Sequence, residues 1–180
     1  MIAEEARKWV GYLEHADGRL LGVYQANAGP GNHTIFAKNL RERTGADFMG
    51  MQWCVTFVFA VYADALGARG MRRALGRPTP SATRLARRMK RRGLWQGRNY
   101  LPQRDDLIFL SPYRDGKIGH IGIVVDTKAG YVLSVDGNTV DPTGFFAEDY
   151  GGAVDYRARA LDDPRIVGYA RTGKAAGQVR

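Results

Sequence analysis

One cysteine in 180 residues excludes an internal disulfide and any zinc site built on several thiolates. Histidine is almost as scarce: His15, His33 and His120 are the full set. The first two have no cysteine or carboxylate spacing around them that matches a metal-ligand pattern, and both are read as exposed loop or helix-end residues. A long uninterrupted apolar run is missing too, so no membrane span is predicted. The first residues, Met1-Ile2-Ala3-Glu4-Glu5-Ala6-Arg7-Lys8, lack the basic region and apolar core of a secretory signal. The composition has no low-complexity or disorder bias, and the length favours one domain with a sizeable core.

Acidic residues are depleted in one place. Between residues 51 and 100, eleven Lys or Arg stand against Asp64 alone, while the segments on either side are near neutral. The net charge of +9 is therefore a local basic patch, which suits an anionic partner such as nucleic acid, a membrane surface or a cell-wall polymer.

Hydrophobic periodicity supplies the architecture. Ile2, Ala6, Trp9, Val10 and Leu13 recur at helical spacing over residues 2–14. A Gly-, Asn- and Pro-rich stretch follows from Ala16 to Asp47, with a short helix around Ile35, Phe36 and Leu40. From Cys54 to Leu66 nearly every residue is apolar or small, the mark of a buried core helix, and Gly67 is a stop signal. Ser81 is a cap for a helix over 82–92. There Leu85 and Met89 form a narrow apolar stripe, and Arg84, Arg87, Arg88, Lys90, Arg91 and Arg92 cover the rest. Strands are predicted over 106–110 and 118–126. The second is joined by a Thr127-Lys128-Ala129-Gly130 turn to a partner over 131–136, and a late strand covers 166–170. Helices first and an antiparallel sheet afterwards make the chain α+β. Residues 173–180 are expected to form a loose tail.

The lone cysteine opens the most buried helix, where partial positive charge favours an anion. A free cysteine is also among the most buried residue types and commonly acts as a small hydrophobe. What favours chemistry is the rest of the pattern. Strand alternation puts His120 on one face with Gly122 and Val124, leaving room beside the ring. Asp136 ends the neighbouring strand, and strands lie about 4.8 Å apart, within reach of an imidazole. A thiolate nucleophile needs a base, and the base needs an orienting group. Cys54, His120 and Asp136 fit those roles, with Asn138 a second candidate for orienting the ring. Gln52 is placed to point its amide at an oxyanion or simply at solvent, and Trp53 suits packing more than substrate stacking, with both kept as oxyanion or substrate candidates.

Trp53-Cys54 opening a buried helix, Gly119-His120-Ile121-Gly122-Ile123-Val124, and Asp136-Gly137-Asn138-Thr139 together resemble the CHAP domain (cysteine, histidine-dependent amidohydrolase/peptidase). The likeness extends to Trp9-Val10-Gly11-Tyr12, to the Pro102–Phe109 segment and to Ile166-Val167-Gly168-Tyr169. It implies a papain-like fold in which N-terminal helices, with the nucleophile at a buried helix N-terminus, pack on a C-terminal antiparallel sheet. Cys54 falls on the family's nucleophile and His120 on its base. Asp136 stands where glutamate is common, and Asn138 on the asparagine that follows. Asp106 matches an aspartate of structural role. Some members bind calcium through an acidic cluster that this chain lacks, so neither metal nor cofactor is expected.

The resemblance implies peptidoglycan as the substrate. The expected enzyme is an endolysin-like hydrolase of the stem peptide or of the muramoyl-alanine link, a monomer occupying residues 1–172 without a separate wall-binding domain. It would be made in the cytoplasm and act at the wall after phage lysis or delivery by a secretion machine. Arg84, Arg87, Arg88 and Arg91 are the candidates for holding anionic wall polymer or outer-membrane lipid, and no specific nucleic acid is expected. The alternatives are a contact-delivered antibacterial amidase, a wall-remodelling enzyme, and, from a different class, a non-catalytic basic module for wall or nucleic acid.

Overall fold

Four helices lie on one face of a six-stranded antiparallel sheet in the computed structural model, which describes residues 1–142 and 151–172. The helices are α1 (Ile2–Arg7), α2 (Ile35–Thr44), α3 (Cys54–Leu75) and α4 (Ala82–Arg91). The strands are β1 (Trp95–Gly97), β2 (Leu107–Leu110), β3 (His120–Lys128), β4 (Tyr131–Thr139), β5 (Ala153–Ala160) and β6 (Ile166–Ala170), in the spatial order β1-β6-β2-β3-β4-β5. This is the predicted α+β arrangement, helices before sheet. The expected tail, 173–180, lies outside the described residues.

Helix α3 is the axis of the core. Every side chain from Cys54 to Ala63 is buried, because α1 and α2 cover it on one side and β3 and β4 on the other. Ile121, Ile123, Val125 and Val135 line the sheet face that meets it. Its length and hydropathy would let it cross a membrane, but those apolar residues are already spent on the protein core. Gly67 does interrupt the helix, with φ 69° and ψ 168°. The predicted stop is instead a break, after which the chain turns helical again as far as Leu75.

Helix α1 is shorter than the predicted 2–14. Beyond Arg7 the bonds tighten to three-residue turns (Trp9 N–H to Ala6 O, Tyr12 N–H to Trp9 O), and Gly11, at φ +92°, sends the chain to the sheet. Trp9, Tyr12, Tyr24, Phe36, Trp53 and Phe57 then form one aromatic cluster with ring centroids 5–6 Å apart. Ser81 caps α4 as predicted, its Oγ accepting from Arg84 N–H at 3.3 Å.

His15 corrects the reading of it as exposed. It is fully buried, because the glycine-rich segment folds back and pairs His15 and His33 through both backbone bonds. His33 is half-buried. Two strands escaped the sequence pattern. β1 has three residues, and β5 alternates Asp155, Arg157 and Arg159 with Val154, Tyr156 and Ala158 on an edge whose charged row faces away from the helices.

Candidate active site

The first N–H in the ladder of α3 belongs to Phe57, which donates to Trp53 O at 2.8 Å. The N–H groups of Cys54, Val55 and Thr56 therefore have no intrahelical acceptor, and the helix presents Cys54 with its positive end. Packing fixes that end. Trp53 is wholly buried, stacked on Phe36, and its Nε1–H donates to Glu14 Oε2 at 2.7 Å. Gly137 on β4 lets it approach: a Cβ there would lie 2.6 Å from Phe57 Cβ and 2.9 Å from Trp53 Cζ3. The glycine seats the helix start against the end of the strand.

A second glycine fits the partner groups together. A Cβ on Gly122 would lie 2.0 Å from Asp136 Oδ1, so the carboxylate occupies the volume a side chain would take. From there Asp136 Oδ2 reaches His120 Nε2 at 2.9 Å. Cys54 acts on the same ring and helps to raise its pKa. With Nε2 engaged by Asp136, Nδ1 is the nitrogen left for the sulfur. The fold thus brings Cys54 at the helix start to the His120–Asp136 pair on the sheet.

Electrostatics reinforces it. Burial pulls the His120 ring down, but the hydrogen bond and charge of Asp136, with the nearby Cys54, outweigh it and hold the imidazole up at about 9. Burial pushes the Asp136 carboxyl up, and the charge of Arg159, with the bonds from His120 and Ser134, holds it well below the usual carboxylate range. Arg159 Nη2 donates to Asp136 Oδ2 at 2.7 Å and Nη1 to Ser134 Oγ at 2.9 Å, while Ser134 Oγ donates to Asp136 Oδ1 at 2.6 Å. A fully buried carboxylate stays ionised only with such partners.

A thiol at a helix N-terminus joined through imidazole to a buried aspartate is the arrangement of a cysteine amidohydrolase. The family model described as CHAP domain matches residues 46–138, just over half of the chain. The chain belongs to the CHAP domain family. Its members are cysteine- and histidine-dependent amidohydrolases and peptidases, with peptidoglycan as substrate. Among curated proteins none matches the chain significantly.

Within this CHAP fold Asn138 and Asp136 have separate partners. Asn138 has φ +56° at a bulge of β4 and donates from Nδ2 to Gln52 Oε1, away from His120. That bond engages the oxygen of the exposed Gln52 amide and leaves its N–H₂ group as the donor. Trp53 corrects the reading of it as a substrate contact. With no exposed surface, it is packing that holds the nucleophile's helix. Asp106 Oδ2 accepts from Tyr100 O–H and Gln103 N–H, both at 3.0 Å, which ties down the entry to β2.

Arg84, Arg87 and Arg91 point from α4 to solvent, but Arg88 differs. Its Nη1 donates to Leu75 O at 2.8 Å and Arg77 O at 2.7 Å, and Arg92 donates to Ala74 O and Arg73 O. The last carbonyls of a helix lack internal partners, and two guanidiniums supply them for α3. Arg88 therefore leaves the list of free surface cations.

Glu14, Ser134 and Arg159 were missed by sequence reading. The signal for Arg159 was the two-residue alternation of β5; Glu14 left none, because its link to Trp53 spans 39 positions.

Two clefts flank the site. One, of about 260 Å³, is lined by His120, Asn138–Val140, Gly151, Leu110, Pro112 and three arginines. The other, of about 490 Å³, lies between Met51-Gln52, Pro80–Thr83 and Ile118-Gly119. The first borders His120 and the second borders Gln52, the neighbours of Cys54 on sheet and chain.

Proposed function

We propose that the chain is an endolysin-like peptidoglycan amidase or endopeptidase. In this reading Cys54 is the nucleophile, His120 the acid and base, and Asp136 the group that orients and charges the ring. The observation that carries it is the His120–Asp136 pair at 2.9 Å with Cys54, at the start of α3, acting on the same ring. An imidazole with its pKa held near 9 is charged at neutral pH and can protonate a leaving amine.

Cys54 Sγ attacks the amide carbonyl of the stem peptide or of the muramoyl-alanine link, and the carbonyl oxygen becomes an oxyanion. The Cys54 N–H and the Gln52 amide donate to it, and each such donor is worth about 100- to 1000-fold in rate. As the C–N bond breaks, His120 gives its Nδ1 proton to the leaving amine, and a thioester remains on Cys54. Water then loses a proton to His120 and attacks the thioester, which releases a carboxylate and restores the thiolate–imidazolium pair. The exposed Arg84, Arg87 and Arg91 would hold the enzyme on anionic wall polymer, an attraction that salt weakens. The setting in this reading is the wall itself, reached after phage lysis or through a secretion machine.

The test is clearing of purified sacculi by wild type beside Cys54→Ser, with mass spectrometry of the new termini. Clearing by wild type alone supports the reading and names the bond. Folded wild type that clears sacculi of no wall type, with Cys54 alkylated by iodoacetamide no faster than a free thiol below pH 7, overturns it.

A further inference from the structure

The 260 Å³ cleft beside His120 is bordered by three guanidiniums, those of Arg157, Arg159 and Arg165. Two of them are committed. Arg159, whose side chain is only 9% exposed, holds Asp136, and Arg165 forms a two-pronged pair with Asp163 at 3.0 and 2.6 Å. Arg157 differs from both. Among the described residues its guanidinium has neither a carboxylate partner nor a hydrogen bond; only its backbone carbonyl is used, by Ser134 Oγ at 3.5 Å. It is also half-buried, so among the described residues the cleft holds a cation without a charge partner and with part of its hydration removed.

Such a cation suits a ligand that brings a negative charge, and the planar fork of an arginine matches a carboxylate best. The side on which that charge belongs follows from the proposed chemistry. His120 must hand its proton to the leaving nitrogen, so the leaving fragment lies on the imidazole side of the thiol. The cleft is lined by His120 and not by Gln52, whereas the opposite cleft is lined by Gln52 and not by His120. Arg157 stands at residue 157, beyond the stretch 46–138 that the family model matches.

We infer that Arg157 is a specificity-determining residue that receives a free carboxylate on the amine-side fragment of the substrate. This rests on the amidase reading of the same site. Peptidoglycan stem peptides carry free carboxylates, so the residue would select strands whose leaving portion keeps one unamidated.

The experiment compares purified peptidoglycan with the same material after its carboxylates are converted to amides with carbodiimide and ammonia. Wild type, Arg157→Gln and Arg157→Lys are assayed by release of new amino groups, with folding checked by thermal melting. A charged hydrogen bond of this kind corresponds to roughly 10- to 100-fold in kcat/KM. Wild type should lose that factor on amidated substrate. Arg157→Gln should already have lost it on untreated substrate and lose little more on amidation, and Arg157→Lys should fall between. Equal penalties on amidation for wild type and Arg157→Gln would overturn the inference and leave the amidase reading intact.

Should wild type cut neither material, the amidase reading fails first, and Arg157 is judged by binding. Soluble stem-peptide fragments, free or amidated, are titrated onto Cys54→Ala protein with and without Arg157→Gln. The same pattern in Kd sustains the inference, and equal Kd values sink it.

Discussion

Replacing Gly122 by alanine adds a single methyl group beside Asp136, yet it should disable the site. The backbone there has no positive φ, so alanine is conformationally acceptable and would by itself gain about 0.5–1 kcal/mol in a strand interior. The new Cβ, however, would lie 2.0 Å from Asp136 Oδ1 and 2.8 Å from its Cγ. Real Cβ atoms essentially never come within 3.0 Å of a neighbour, so the carboxylate must move by at least about 1 Å. It has no slack, because His120 at 2.9 Å, Arg159 at 2.7 Å and Ser134 at 2.6 Å all hold it. Overpacking costs about 1–3 kcal/mol, which leaves a net loss of about 1–2 kcal/mol after the propensity gain. A 1 Å displacement of a positioning group can cost on the order of 100-fold in rate. The expected Gly122→Ala protein is thus folded, melts a few degrees lower, and has kcat/KM reduced about 100-fold. Its alkylation by iodoacetamide at neutral pH should be slower than that of wild type. Gly119→Ala is the control, since its Cβ meets only Pro112 at 3.1 Å, and it should lose less than tenfold. Wild-type rates and an unchanged alkylation profile in Gly122→Ala would refute the view that this glycine is a socket for the carboxylate.

Two further outcomes are expected. The His120 pKa is raised from 6.5 to about 9, so the stability its charge contributes is complete below about 6.5 and is lost as pH rises through about 9. The alkaline limb of kcat/KM should accordingly fall near pH 9, and Asp136→Asn should move that limb downward by at least one unit. A limb unmoved in that variant would separate Asp136 from the ring's titration. On α4, Arg88→Ala should cost about 1–3 kcal/mol by stripping charged donors from buried helix-end carbonyls. Glutamate at Arg84, Arg87 and Arg91 together should leave folding nearly unchanged and weaken binding to sacculi most at low salt; equal melting temperatures for the two proteins would contradict this division.

The sequence alone determined the elements whose pattern is local and whose chemistry is written in one stretch. The apolar run from Cys54 made a core helix because no other environment hides so many side chains. The β-branched run around His120 and its hairpin partner made neighbouring strands because the turn between them is short. Those two facts put a thiol at a helix start and an imidazole beside a carboxylate, and the motif order then pointed to the CHAP family. Only the tertiary structure decided which groups serve the imidazole and which serve elsewhere. Asp136 and Asn138 are two residues apart, and a bulge in β4 turns one to His120 and the other to Gln52. Arg159 reaches Asp136 from an edge strand 23 positions away, Glu14 fixes Trp53 across 39, and Arg88 closes the end of another helix. Burial couples such residues by distance in space, with no period along the chain, and that coupling forms only once helix and sheet have packed together.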